Sequence, residues 1–104
     1  VTMEGALGHP GIFPITGKIT LLQALALAGG IDEKTADPRG IVIMRQVNGR
    51  RMAAAYDIRM LRNGTIDDPQ LYGDDIVVVE ESGSKSAMRK FLQAMPILGI
   101  FTMF

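Results

Sequence analysis

Three arginines around one predicted hairpin are the side chains with the clearest chemical potential. Arg45 follows the apolar run of residues 41–44, and Arg50 and Arg51 open the next predicted strand. A planar guanidinium group donates paired hydrogen bonds to carboxylates and single ones to hydroxyl oxygens. These arginines could therefore bind a ligand that carries carboxylates or hydroxyl groups.

Two tyrosines, Tyr56 and Tyr72, could add an aromatic face to such a surface. A tyrosine ring is apolar over its faces and polar at its hydroxyl, so it could give a ligand a stacking face. Packing inside the domain is the simpler expectation for both residues.

Catalysis and metal binding have little support in this sequence. His9 is the only histidine, no Asp or Glu stands within three residues to orient it, and the chain has no cysteine. One histidine cannot form a metal triad, and the lack of thiols excludes disulfides, thiolate zinc sites and cysteine nucleophiles. We expect His9 to be a turn residue and the protein to have no enzymatic activity.

Neither the aspartates nor the glycines predict a bound cofactor or metal. Asp67, Asp68, Asp74 and Asp75 lack the regular alternation of a calcium loop, and turn formation accounts for Asp before Pro and after Gly. The glycines at positions 5, 8 and 11 do not have the dinucleotide-binding spacing, and they precede a strand instead of a helix.

The charges cancel in number but separate along the chain. Eleven basic residues balance eleven acidic ones over 104 residues, which argues against nucleic acid as a partner. Six arginines and one acid fall in residues 39–62, whereas residues 67–81 carry six acids and no base. Two readings follow: the groups meet between copies of the chain in a head-to-tail ring, or they pair within one domain.

The elements that position these side chains predict an α+β domain, a sheet with one main helix packed across it. Residues 1–7 and 12–15 predict a first hairpin, and Asn48-Gly49 predicts a type I′ turn between strands at 41–44 and 50–56. Residues 76–79, Ile-Val-Val-Val, predict a central strand buried on both faces.

Two helices are predicted from their ends. Thr20 and Gln23 form a capping-box pattern that starts a helix over residues 21–28, and Gly29-Gly30 supplies a left-handed stop. Asp57 is expected to cap a second, short helix that Asn63-Gly64 ends.

The C-terminal residues are expected to form a separate part of the chain. We predict a domain over residues 1–81, then a hinge and an apolar, partly amphipathic helical tail over 82–104, where residues 91–104 contain only Gln93 and Thr102 as polar side chains. As a helix this apolar segment would span about 21 Å, too short for a bilayer core. It is expected to pack on a neighbouring copy through Phe91 and Met95; contact with a membrane surface or with the domain's own core are the alternatives.

Three segments in order resemble one known domain family. They are Gly5-Ala6-Leu7-Gly8-His9-Pro10-Gly11, residues 20–30 (TLLQALALAGG), and Tyr56-Asp57 with residues 68–79 (DPQLYGDDIVVV). This set resembles the soluble-ligand-binding β-grasp (SLBB) domains of the bacterial outer-membrane polysaccharide export family. The chain opens on Val1 without the pattern of a signal peptide, and we expect it to be a mature or excised fragment that lacks the export domain of such proteins.

The resemblance implies a β-grasp-like fold and a periplasmic module, associated with the outer membrane, that helps a ring of copies to pass or bind a capsule polysaccharide or exopolysaccharide. It also implies an inner-membrane polysaccharide co-polymerase as a partner. The candidate glycan-binding residues are then Arg45, Arg50, Arg51 and His9, and the candidate oligomer interface is Arg59, Arg62, Asp74, Asp75, Phe91 and Met95. A monomeric β-grasp carrier of a small ligand or a sugar is the alternative function.

Overall fold

A five-stranded mixed sheet with helices on one face organises residues 1–82, the part of the chain that the computed structural model describes. This confirms the predicted α+β, β-grasp-like class. The strands run in the order β2-β1-β7-β4-β5, and two further short strands, β3 and β6, form a separate pair. In chain order the elements are β1 (Thr2–Gly5), β2 (Gly11–Ile12), β3 (Ile19–Thr20), α1 (Leu21–Leu27), β4 (Ala36–Val47), β5 (Arg50–Tyr56), α2 (Ile58–Arg62), β6 (Gln70–Leu71) and β7 (Ile76–Glu81).

Strand β7 lies at the centre of the sheet, as its β-branched sequence predicts. It pairs parallel with β1 and antiparallel with β4. Val77 and Val79 point into the main core beneath α1 and are at most 1% exposed. The predicted burial on both faces is complete on this face only, because Ile76 and Val78 on the other face are partly buried.

That other face of the sheet carries a smaller apolar cluster. Val42, Met44 and Ala53 form it, and Ile76 and Val78 pack against them. The alternation of side chains along each strand produces this arrangement, since Val42 pairs with Val78 and Met44 with Ile76. The sheet therefore has apolar side chains on both faces, and the smaller cluster extends along β4 as far as Met44.

Helix α1 begins as predicted, and a distant segment completes its first turn. Thr20 Oγ1 accepts from the Gln23 backbone N–H at 3.3 Å, and Gln23 Oε1 accepts from the Thr20 N–H at 2.9 Å. The Leu21 N–H donates to the Pro69 carbonyl, and the Leu22 N–H donates to Asp68 Oδ1 at 3.0 Å. The side chain of Asp68 thus satisfies a helix-end donor 46 residues earlier in the chain, which its turn-forming sequence does not reveal.

The hairpin of β4 and β5 confirms the prediction of a type I′ turn. Asn48 and Gly49 have φ values of 53° and 76°. Next to the turn Val47 pairs with Arg50, and the pairing continues along both strands until Ile41 pairs with Tyr56. Strand β4 is longer than predicted because pairing resumes at Ala36, beyond an irregularity before Ile41. This early part contains Pro38 and Gly40, both disfavoured in strands, which explains the missed start.

Helix α2 is capped by Asp57, as predicted, and its cap is charged. Asp57 Oδ1 accepts from the Arg59 N–H at 2.9 Å, and the Arg59 guanidinium donates to both carboxylate oxygens at 3.0 and 2.7 Å. The hydrogen bond from this side chain lowers the pKa of Asp57 from 3.8 to about 2.

The substitution Asp57→Asn is expected to destabilise the domain only where Asp57 is ionised. Because folding lowers its pKa, the stabilisation is complete above about pH 4 and is lost as the pH falls through about 2. Because the Arg59 side chain is exposed to water, the pair makes only a small contribution to stability. Urea unfolding of both proteins should show a difference at about pH 5 that is much smaller near pH 2. A difference of equal size at both pH values would show that the cap acts without its charge.

The predicted tail lies outside the described residues, and its division from the domain at residues 81 and 82 stays a prediction. Strand β7 ends at Glu81, and the next residue, Ser82, donates to the Thr35 carbonyl and, through its hydroxyl, to the Ala36 carbonyl. Over residues 1–82, no helix is long and apolar enough to cross a bilayer.

Candidate functional site

A cleft of about 620 Å³ opens where β4 ends and β7 begins. Its floor follows from the strand register: Met44 pairs with Ile76, and Gln46 pairs with Arg51, so that these four residues lie on one face of the sheet. The turn between β6 and β7 forms the wall. The lining residues are Met44, Arg45, Gln46, Arg51, Tyr72, Gly73, Asp74, Asp75 and Ile76.

An ion pair between Arg45 and Asp75 connects strand β4 to the wall of the cleft. Arg45 Nε donates to Asp75 Oδ1 at 2.9 Å, and Arg45 Nη2 donates to Oδ2 at 2.7 Å. The same Nη2 reaches the Gln70 carbonyl at 3.2 Å. Asp75 is 1% exposed and the Arg45 side chain 17% exposed, so both groups are largely removed from water. A two-point contact of this kind fixes the planes of both groups.

The turn that carries Asp75 also presents Tyr72 to solvent. The Tyr72 N–H donates to Asp75 Oδ2 at 2.8 Å, and the Asp75 N–H donates to the Tyr72 carbonyl oxygen at 3.2 Å. Asp74, between them, has a φ of 69°, a conformation that Asp tolerates better than most residues. The Tyr72 ring lies with its centroid 4.7 Å from the Arg45 guanidinium carbon, yet the residue is 53% exposed. The cation–π contact therefore holds the ring at the mouth of the cleft.

The cleft combines apolar, aromatic, cationic and anionic groups in a small space. Arg45 and Asp75 neutralise each other, while Arg51, Asp74 and Gln46 are exposed at the lining. Sites that bind small polar molecules have this composition, an apolar surface with a few oriented polar groups. Such a cleft can bind a hydroxylated ring.

The other predicted glycan-binding residues do not line this cleft. Arg50 is exposed beside the hairpin turn, and His9 follows β1 at the opposite end of the sheet, where its N–H donates to the Ala28 carbonyl at 2.7 Å. His9 is the turn residue that the sequence predicts. Within residues 1–82, no three His, Cys, Asp or Glu side chains converge as metal ligands.

Several members of the predicted oligomer interface have partners within the domain. Arg59 pairs with Asp57 at 2.7 Å, and Arg62 pairs with Glu33 at 2.9 Å. Asp75 is buried against Arg45, while its neighbour Asp74 is exposed. Some of the charges that are separated along the sequence therefore form ion pairs within one domain. Phe91 and Met95, the remaining two, lie outside the described residues.

Five cleft residues are not among the predicted site residues, and two of them, Tyr72 and Gln46, carry polar groups on their side chains. The simpler expectation of packing inside the domain is confirmed for Tyr56, which is 2% exposed in the core, and is wrong for Tyr72, which is 53% exposed. Its position in a Gly- and Asp-rich turn is the signal for exposure, because turns lie at the surface. For Gln46, the signal is its pairing position opposite Arg51, two residues from the Asn48-Gly49 turn.

Comparison with known proteins supplies the family. No curated protein matches this chain. A family model described as the SLBB domain matches residues 1–79, which include the cleft and all three segments that carry the resemblance. This match covers well over half of the 104 residues, and the chain belongs to the SLBB domain family.

Proposed function

We propose that this chain is a non-enzymatic module of a bacterial polysaccharide export protein, working in the periplasm in association with the outer membrane. Membership of the SLBB family is consistent with that role. The observation that carries the proposal is the cleft, in which the Arg45–Asp75 pair orients the exposed Tyr72 ring within an SLBB fold. The cleft would contact the capsule polysaccharide or exopolysaccharide, and an inner-membrane polysaccharide co-polymerase would supply it.

The second part of the proposal is assembly into a ring of identical copies. Arg50 and Arg51 are exposed, and within residues 1–82 neither forms an ion pair. Asp67 is an exposed acid on the other charged segment and lies outside the cleft. Opposite charges at different places on one domain favour a head-to-tail contact, which closes into a ring when the rotation per copy permits.

Reversing the charge of Arg50 and Arg51 is expected to reduce the oligomer mass of the full chain without unfolding it. The double variant Arg50→Glu/Arg51→Glu places acids where the proposed contact needs bases, and like charges across an interface oppose association. Light scattering on the parent chain should give a defined oligomer, and on the variant a smaller species. Circular dichroism should remain unchanged, because both side chains are exposed.

The matched control is Lys18→Glu/Lys34→Glu, which makes the same change in net charge at two exposed lysines elsewhere. Its mass should equal that of the parent chain. Equal masses for the parent and the Arg50→Glu/Arg51→Glu variant would contradict assembly through these arginines.

A monomeric carrier of a small sugar is the second candidate function, and the concave shape of the cleft favours it. A cleft of about 620 Å³ has the size of many small-ligand sites. The mass of the parent chain separates the two candidates. A monomer at all concentrations supports the carrier, whereas a defined oligomer supports the export module.

A further inference from the structure

The groups in the cleft that remain available to a ligand have no excess of charge. Arg45 and Asp75 form a closed pair, which leaves one exposed cation, Arg51, and one exposed carboxylate, Asp74, among the charged lining residues. An acidic sugar would gain an ion pair with Arg51 but would meet repulsion from Asp74. A neutral sugar avoids that repulsion, because its hydroxyl groups both accept from a guanidinium and donate to a carboxylate.

The apolar part of the cleft suits the flat face of a pyranose ring. Tyr72 exposes about half of its surface at the mouth, and Met44 and Ile76 lie side by side on the floor. The C–H groups of a hexose with equatorial hydroxyls form an apolar face that packs on an aromatic ring, while the hydroxyls point outward from the ring edge. Because Arg45 holds the Tyr72 ring, little ordering of that side chain remains to oppose binding.

We propose that this cleft is a subsite for a neutral hexopyranose unit, stacked on Tyr72 and hydrogen-bonded by Arg51 and Asp74. The inference rests on the proposed function, since it specifies which class of sugar the module contacts. Asp74 is the residue that makes the cleft prefer neutral sugars to acidic ones. Its carboxylate accepts hydrogen bonds from sugar hydroxyls and disfavours a sugar that carries its own carboxylate.

The test compares pairs of sugars whose members differ only at C6. Methyl β-glucopyranoside and methyl β-glucopyranosiduronate, with the corresponding galactose pair, are titrated into the ¹⁵N-labelled full chain, and amide shifts are followed by NMR. The neutral glycosides should shift amides of residues 44–46, 51 and 72–76 and should bind more tightly than the uronates. Tyr72→Ala should weaken the neutral glycosides about fivefold or more through loss of the stacking face.

Asp74→Asn tests the origin of the discrimination. Asn tolerates the positive φ at this position and keeps a hydrogen-bonding side chain, so the turn should persist. Removing the carboxylate should reduce the ratio of the neutral-glycoside affinity to the uronate affinity by about threefold or more. Most of this change should come from tighter binding of the uronates. Unchanged spectra away from the cleft confirm that each variant is folded.

Three results would overturn the subsite. Uronates that bind the parent chain as tightly as the neutral glycosides would exclude the neutral-sugar class. Absence of shifts with all four sugars would exclude a monosaccharide subsite in this cleft, and a preference unaltered in Asp74→Asn would remove Asp74 as its cause. The ring-forming module is judged separately, by the oligomer mass of the parent chain and of Arg50→Glu/Arg51→Glu in light scattering.

Discussion

Asp75→Ala is expected to destabilise the domain by about 3–5 kcal/mol, a large part of the stability of a domain of this size. The substitution removes both acceptors of the Arg45 fork and leaves a mostly buried guanidinium without its main partner. It also removes the acceptor of the Tyr72 N–H. The free energy of unfolding in urea, compared with that of the parent chain, measures the loss.

Two further variants separate the causes of that loss. Asp74→Ala changes an exposed neighbour in the same turn and should cost much less than Asp75→Ala, apart from the strain of Ala at a positive φ. The double variant Arg45→Met/Asp75→Leu replaces the pair by apolar groups, and it should recover much of the stability, because a buried pair often contributes little beyond its own desolvation cost. A loss below about 1 kcal/mol for Asp75→Ala would contradict a buried, mutually dependent pair.

The same double variant distinguishes the stability role of the pair from its role in the cleft. Arg45→Met removes the cation that lies over Tyr72, so the ring would lose its fixed position even in a stable domain. Recovered stability with weakened sugar binding is therefore the expected combination.

The contact between Arg45 and Asp75 is the feature of the site that could not be predicted from the sequence. Arg45 and Asp75 are 30 residues apart, and the sequence placed them in two different roles, one in ligand binding and the other between copies. Their contact depends on the register of β4 against β7, in which Met44 lies beside Ile76. No local pattern encodes that register, because it is set by which apolar side chains share the core. The exposure of Tyr72 follows from the same contact.

The fold could be predicted more completely than the site, because its main helices and strands have local sequence signals. The capping box at Thr20 and the turn at Asn48-Gly49 each depend on neighbouring residues, and both were predicted correctly. Strands β3 and β6 have only two residues each, too few for any periodicity, and they form only because the chain brings residues 19–20 against 70–71. The capping of α1 by Asp68 was missed for the same reason, since its partner is 46 residues away.

Gly5 shows how a short motif encodes a long-range contact, and Gly5→Ala is expected to be the most damaging change among the glycines. Gly5 ends β1 with a φ of 97°, and a Cβ at this position would collide with the Val79 carbonyl oxygen of the central strand. That oxygen accepts from the Ala6 N–H at 2.9 Å, so the clash cannot be relieved without breaking the junction of β1 and β7. The backbone strain and the forced separation of strands should together cost about 3 kcal/mol or more.

Gly17→Ala is the matched control for the conformational part of that cost. Gly17 also has a positive φ, 75°, but nothing lies within 4 Å of the Cβ that Ala would add. Its substitution should therefore cost only the left-handed conformation, about 1–2 kcal/mol. The excess of Gly5→Ala over Gly17→Ala in urea unfolding then measures the contact with Val79. Equal losses would mean that β1 can shift away from β7 at this point, and that Gly5 is required for its backbone conformation alone.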